Sequence, residues 1–184
     1  MSLLDEIAAQ VNSCQRCPLG QTRTMAVPGA GPPDARIMFV GEGPGRDEDL
    51  QGEPFVGKAG KVLTKLLRRI GLSREDVFIT NIVKCRPPDN RDPHPDEVSA
   101  CREYLDGQIA FIRPVLICTM GRPALQTLVD PTASVMKLNG TIIEREGLVF
   151  VPLIHPAAGL HQPQMKDPTI EGFDALGRIL QERG

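Results

Sequence analysis

Two groups of residues carry most of the chemistry this sequence offers. The first is a set of cysteines. Cys14 and Cys17 stand two residues apart in Cys14-Gln15-Arg16-Cys17-Pro18, and Cys85 and Cys101 follow downstream. A C-x2-C spacing lets both thiolates reach one metal centre. Cys85 opens a proline-rich loop and Cys101 lies in the helix expected after it, so their thiols can be brought together. Zinc and an iron–sulfur cluster both suit four thiolates. A zinc ribbon usually shows two close pairs, whereas Cys85 and Cys101 are split by 15 residues, which favours a [4Fe-4S] cluster. Four unrelated cysteines are the plainer alternative. Cys118, in the middle of an apolar run, reads as a small buried hydrophobe.

The second group sits where apolar runs stop. Ile37-Met38-Phe39-Val40 opens into Gly41-Glu42-Gly43-Pro44-Gly45, and the chain continues to Glu53-Pro54-Phe55-Val56-Gly57. Such a boundary reads as a buried strand ending at a tight loop, and glycines there let the backbone approach a ligand. The pattern is neither a dinucleotide fingerprint nor a phosphate-binding loop, which requires Gly-Lys-Ser/Thr at its end. Glu42 offers this loop a polar group and Phe55 a flat one. Asn81 ends a second apolar run with an amide that both donates and accepts, and His155 ends another, just before Pro156. Each has a structural alternative: a core phenylalanine, a sheet-satisfied asparagine, a His-Pro turn.

These residues need a scaffold. Residues 2–13 form an amphipathic helix with Leu3, Leu4, Ile7 and Val11 on one face, and Ser2 caps it with Asp5 three residues on. Helical period recurs over Lys61–Ile70, Asp96–Ile112, Pro123–Leu128 and Ile170–Glu182. Strands are expected at Ile37–Val40, Val77–Val83 and Val115–Met120, with a hairpin of Thr141–Glu146 and Leu148–Ile154 around Gly147. Strand, helix and strand with short joints make a βαβ unit with parallel strands. The prolines from Pro87 to Pro95 forbid a helix or a central strand there and leave a stiff, exposed loop. The economical architecture is α/β: a three-layer α/β/α sandwich on a mainly parallel sheet, with residues 1–184 as a single domain.

Composition narrows the class. The formal charge is −2, with charged residues at 24%, so any nucleic-acid contact must come from a local patch. No apolar span is long enough for a membrane, and the amino terminus lacks the form of a signal peptide. The expectation is a soluble, cytoplasmic protein whose cysteines are not a disulfide framework.

Gly41-Glu42-Gly43-Pro44-Gly45, Glu53-Pro54-Phe55-Val56-Gly57, the run from Asn81 to Pro88, Asn90-Arg91 and His155-Pro156-Ala157-Ala158 together resemble the family 4 uracil-DNA glycosylases. Cys14, Cys17, Cys85 and Cys101 match the ligands of that family's iron–sulfur cluster. The resemblance covers nearly the whole chain, and departs at Gly43, where many members carry alanine. It implies a monomeric, monofunctional enzyme of base excision repair. Such an enzyme acts on uracil-containing DNA, single- or double-stranded, by flipping the nucleotide into a pocket and leaving an abasic site. In that role Gly41, Glu42, Gly43, Phe55, Asn81 and His155 bind the base. Phe55 stacks on it, Asn81 matches O4 and N3–H of uracil, and His155 donates to O2 as the base departs as an anion. The activating acid of other glycosylases has no counterpart at Gly43, which leaves Asn90 to position the water, with Glu42 as the second candidate. Lys84, Arg86 and Arg91 are expected at phosphates, and Leu160 at the base stack as a wedge.

Three rivals remain. A protein that traps the abasic sugar covalently would carry a basic, histidine-bearing insertion in the Cys85 loop, where Asp89-Asn90-Arg91-Asp92 stands instead. A non-enzymatic iron–sulfur DNA-binding module would have no need of Phe55, Asn81 and His155 together. An electron carrier would need no base pocket.

Overall fold

The computed structural model describes residues 1–183. Five strands form one sheet: β1 (Ile37–Gly41), β2 (Phe78–Asn81), β3 (Leu116–Met120), β4 (Ile143–Arg145) and β5 (Leu148–Leu153), in the order β2-β1-β3-β5-β4. The first four in that order are parallel, and β4 pairs antiparallel with β5. Nine α-helices surround the sheet among the described residues: α1 (Leu3–Asn12), α2 (Leu19–Thr22), α3 (Arg46–Gln51), α4 (Lys58–Arg69), α5 (Pro95–Ile112), α6 (Arg122–Leu128), α7 (Val135–Leu138), α8 (Ala158–His161) and α9 (Lys166–Arg183).

Side-chain alternation along the strands builds two cores. Ile37 and Phe39 of β1 pack with Leu63 and Leu67 of α4 and Phe173 and Leu176 of α9. Met38 and Val40, facing the other way, pack with Leu105 and Ile109 of α5 and Leu125 of α6. Every residue of β1, β2 and β3 is buried, as a parallel sheet covered on both faces requires. This is the expected three-layer sandwich. Cys118 is fully buried in β3, as its apolar neighbours imply. A third core joins Ile7 and Val11 of α1 to Val83, Cys85 and Tyr104, and so holds the amino-terminal helix against the Cys85 loop.

The expected elements are present with shifted ends. Ser2 and Asp5 form the capping box on α1, and the hairpin turns at Glu146 and Gly147, both with positive φ, as a tight two-residue turn prefers. β2 is shorter than its apolar run: Ile82 and Val83 leave the ladder but still donate to the carbonyls of Gly41 and Glu42. α3 lies in a stretch with no apolar period. Its Asp49, 5% exposed, accepts a 2.8 Å bond from the Thr24 amide and pins the helix to the segment after α2.

Candidate active site and thiol site

The parallel strands β1, β2 and β5 all point their carboxyl ends at one edge of the sheet, where open α/β sheets bind their ligands. A cavity of about 280 Å³ opens there. Glu42 and Gly43 reach it from the end of β1, Asn81 from the end of β2 and His155 from beyond β5; Phe55 and Asn90 reach it from loops. The residues read from sequence as one site therefore share one cavity. Gly41 lies beneath it. A Cβ at Gly41 would stand 2.6 Å from Asn81 Oδ1 and 2.8 Å from the Phe55 ring, so only glycine lets these two side chains close over the strand end. A Cβ at Gly43 would meet the buried Val83 Cγ2 at 2.8 Å, so an alanine there needs Val83 to give way.

Phe55 is held in place by its backbone. Its φ of +52° is a conformation that side chains rarely adopt, and two neighbouring side chains hold it there. Arg74 donates 2.7 Å bonds to the carbonyls of both Pro54 and Phe55. Glu48, from α3, accepts from the amides of Val56 (2.8 Å) and Gly57 (2.7 Å), and from Gly45 (3.0 Å). One carboxylate thus ties the glycine loop to the Phe55 loop. Any Cβ on Gly60 would collide with the Phe55 carbonyl. Sequence reasoning missed Glu48 and Arg74; a glutamate three residues after Gly45, in the capping position of a helix, was the available signal for the first.

The Phe55 and His155 rings lie 5.6 Å apart between centroids, inclined by 28°. A flat base has no room between them, since two stacking layers need about 7 Å. The Phe55 face that borders the cavity is the one open to a flat ligand. Burial lowers the His155 pKa to about 4, against a smaller opposing effect of Glu48, so the imidazole is neutral near pH 7. The Ala157 amide donates a 3.0 Å bond to Nδ1, which puts the ring proton on Nε2 and makes that nitrogen a donor. Asn81 is 1% exposed, and its Oδ1 has no hydrogen-bond partner among the described residues. An orphaned buried carbonyl beside a cavity calls for a ligand donor.

Burial, followed by the neighbouring Asp92, raises the Glu42 pKa to about 7, with Arg122 opposing. Arg122 donates a 2.8 Å bond to Asp92, so Glu42 belongs to a small charge network that no sequence pattern marked. Asn90, next to Asp89 and like it at positive φ, accepts a 2.8 Å bond from Arg86 Nε. Its Oδ1 is thereby engaged, and the Nδ2 amide is left as a donor.

One of the expected phosphate contacts needs correction. Lys84 is 1% exposed. Its ammonium donates to Asn81 O (2.8 Å), Gln108 Oε1 (2.7 Å) and Thr80 Oγ1, and burial lowers its pKa to about 8. It cannot reach a phosphate. Arg91 lines the cavity, but its guanidinium grips the buried Glu97 carboxylate bidentately, at 2.7 and 2.9 Å, and Glu97 also accepts from the His94 amide at the start of α5. Arg86 is half-buried and bonded to Asn90. Leu160 is exposed on α8, outside the cavity.

Cys14, Cys17, Cys85 and Cys101 line one recess between α1, α5 and the proline-rich loop, and none is in a disulfide. Arg23 donates a 3.1 Å bond to Cys85 Sγ. Among the described residues no three His, Cys, Asp or Glu side chains close around a single ion. Four thiols facing one recess are a donor set that zinc and an iron–sulfur cluster can both take.

This fold defines an α/β/α protein with a cavity at the carboxyl edge of its sheet. Comparison with known proteins narrows the class further. The profile of the Uracil DNA glycosylase superfamily matches residues 28–176, and the chain belongs to that superfamily. The protein named type-4 uracil-DNA glycosylase in Saccharolobus solfataricus is 48% identical, over 100% of this chain and 89% of its own. Those of Thermotoga maritima (47%, over 99% and 97%) and Archaeoglobus fulgidus (46%, over 97% and 94%) are similar throughout as well. No helix among the described residues is long and apolar enough to cross a membrane.

Proposed function

We propose that residues 1–184 act as one monofunctional, monomeric glycosylase domain that hydrolyses the bond between uracil and deoxyribose in DNA, inside the cell. The observation that carries this reading is the shared cavity of Phe55, Asn81 and His155, with an orphaned amide oxygen and a neutral imidazole donor facing one space. The reaction needs three things of it. Phe55, fixed by Arg74 and Glu48, offers a stacking surface worth about 1–3 kcal/mol per base. Asn81 Oδ1 accepts from uracil N3–H while its amide donates to O4; the amino group and unprotonated N3 of cytosine invert both contacts. His155 Nε2–H points at the charge that gathers on O2 as the glycosidic bond breaks. A neutral donor is enough, since it stabilises the leaving anion without transferring a proton.

The sugar left behind is electrophilic, so the water needs orientation more than strong activation. Asn90 Nδ2 holds it, and Glu42, in its ionised form, takes its proton. The four thiolates of Cys14, Cys17, Cys85 and Cys101 would hold a [4Fe-4S] cluster, whose contribution there would be structural cross-linking, tying the segment after α1 and helix α5 to the loop that carries Asn90. No step of the hydrolysis passes through it.

The test is incubation of the purified protein with single- and double-stranded oligonucleotides bearing one uracil, followed by alkali. Cleavage at that position is expected; intact strands under single-turnover conditions would refute the reading. A product that stays covalently bound to the protein would favour the trapping alternative.

A further inference from the structure

Of the loop cations expected at DNA phosphates one is buried and two already hold partners within the protein, which directs attention to cations that hold none. Lys84 is buried, Arg91 serves Glu97, and Arg86 bonds Asn90. Most other surface arginines near acids are also neutralised: Arg16 by Glu103, Arg69 by Asp174, Arg102 by Asp106 and Arg122 by Asp92. One face differs. α4 carries Lys58, Lys61, Lys65 and Arg68, all exposed, and none forms an ion pair among the described residues. At 3.6 residues per turn they fall within about 80° of one another and span about 15 Å of helix, the rise of about four base pairs.

This face starts at the base cavity. Ala59, in the first turn of α4, lines the cavity, and Glu48 holds the Gly57 amide just before it. The acids nearest that start are Glu48, committed to three amides, and Asp47, beside Gly57. Further along, Val62 and Lys65 border a second, apolar recess together with Pro156, Leu160 and Lys166. Leu160 is 45% exposed there and follows His155 by five residues. An exposed apolar tip flanked by Lys65 and Lys166, beside a base pocket, is the arrangement that a partly unstacked strand calls for. In a chain of net charge −2, so local a cluster of uncompensated cations is otherwise a source of self-repulsion.

We propose that the basic face of α4, with Lys65 and Lys166 on either side of Leu160, is the track for DNA phosphates flanking the extruded nucleotide. The inference rests on the glycosylase reading for its choice of polyanion and fails separately from it. The test is fluorescence anisotropy of labelled, uracil-free single- and double-stranded oligonucleotides over a series of KCl concentrations. It compares the wild type, the triple variant Lys58→Gln/Lys61→Gln/Lys65→Gln, and Arg36→Gln, an exposed cation preceding β1 at the opposite edge of the sheet. The slope of log affinity against log salt should shrink by about 2–3 for the triple variant on duplex, at about 0.9 for each phosphate no longer neutralised. Arg36→Gln should keep the wild-type slope. An unchanged slope in the triple variant, or an equal fall with Arg36→Gln, would overturn the proposal. Uracil excision measured on the same preparations keeps the two questions apart: an inactive enzyme with the expected slopes sinks the activity and not the track.

Discussion

The Lys84 ammonium donates a 2.8 Å hydrogen bond to the main-chain oxygen of Asn81, three residues before it. The cation next to Cys85 therefore supports the strand end that carries the Asn81 amide, proposed to read the base, and does so from inside the protein. Lys84→Met keeps the volume and removes the donors, taking from Asn81 O its bond to the ammonium and leaving Gln108 Oε1 with only a 3.3 Å bond from Thr80 Oγ1, at about 1–3 kcal/mol for a buried group left unsatisfied. The expected outcome is a lower melting temperature and slower excision with an unchanged salt slope for DNA binding. A slope reduced by a full phosphate contact would show that Lys84 meets DNA after all. Combined with Asn81→Ala, the Lys84 substitution should add little to the loss of excision, because both act on one amide.

Asn81→Asp replaces the amide donor with an acceptor where the structure has no other group to take over. Excision of uracil should fall and discrimination against cytosine should relax, seen as the ratio of single-turnover rates on matched oligonucleotides. An unchanged ratio would mean that the base edge is read elsewhere.

How much of this was legible beforehand depends on whether the determinants were local. Met38 and Phe39 point to opposite cores, and the apolar runs that contain them identify strands without any tertiary knowledge. Asn81 and His155 stood out because each ends such a run, and Phe55 because it is a flat side chain in a loop rich in glycine and proline. Lys84 was misplaced because its partners, Thr80 and Gln108, lie on a strand and on a helix that only the fold brings together. A lysine between a strand and a proline-rich loop looks solvated until that packing is known. The Arg91–Glu97 pair went unseen for a similar reason, since Glu97 was read as part of a helix rather than as a partner for Arg91. α3 was invisible because Arg46-Asp47-Glu48-Asp49 has no apolar period. What stabilises it are carboxylates that reach back to loop amides.

Cys85→Ser removes one of four thiolates and also the acceptor for Arg23. Iron content and visible absorbance should fall, and excision should weaken through the loop that positions Asn90. Zinc at one equivalent in a colourless wild type would instead overturn the cluster assignment.

His155→Ala deletes the Nε2–H donor. Losing one such donor costs about 3–4 kcal/mol of transition-state stabilisation, so single-turnover excision should slow by about 10²–10³-fold while affinity for uracil DNA changes far less. Equal losses in both would contradict a role specific to the departing base.

Glu42 and His155 set opposite expectations for pH. The folded pKa of Glu42 is raised to about 7, and its ionised form is the one that takes a proton from water. The excision rate should therefore rise as pH passes through about 7 and then level off, and Glu42→Gln should be slower with that step removed. His155, with its pKa lowered to about 4, stays neutral across this range and contributes no step of its own. Its effect is on stability. The unfolded imidazole binds a proton below its ordinary value of 6.5 and the folded one does not until about 4, so the unfolded state takes up more protons in that window and stability falls as pH drops from 6.5 to 4. In melting curves across that window His155→Phe should lose less stability on acidification than the wild type. An identical decline in both would mean that the folded imidazole takes up its proton over the same range as the unfolded one, and that burial does not keep it neutral below pH 6.5.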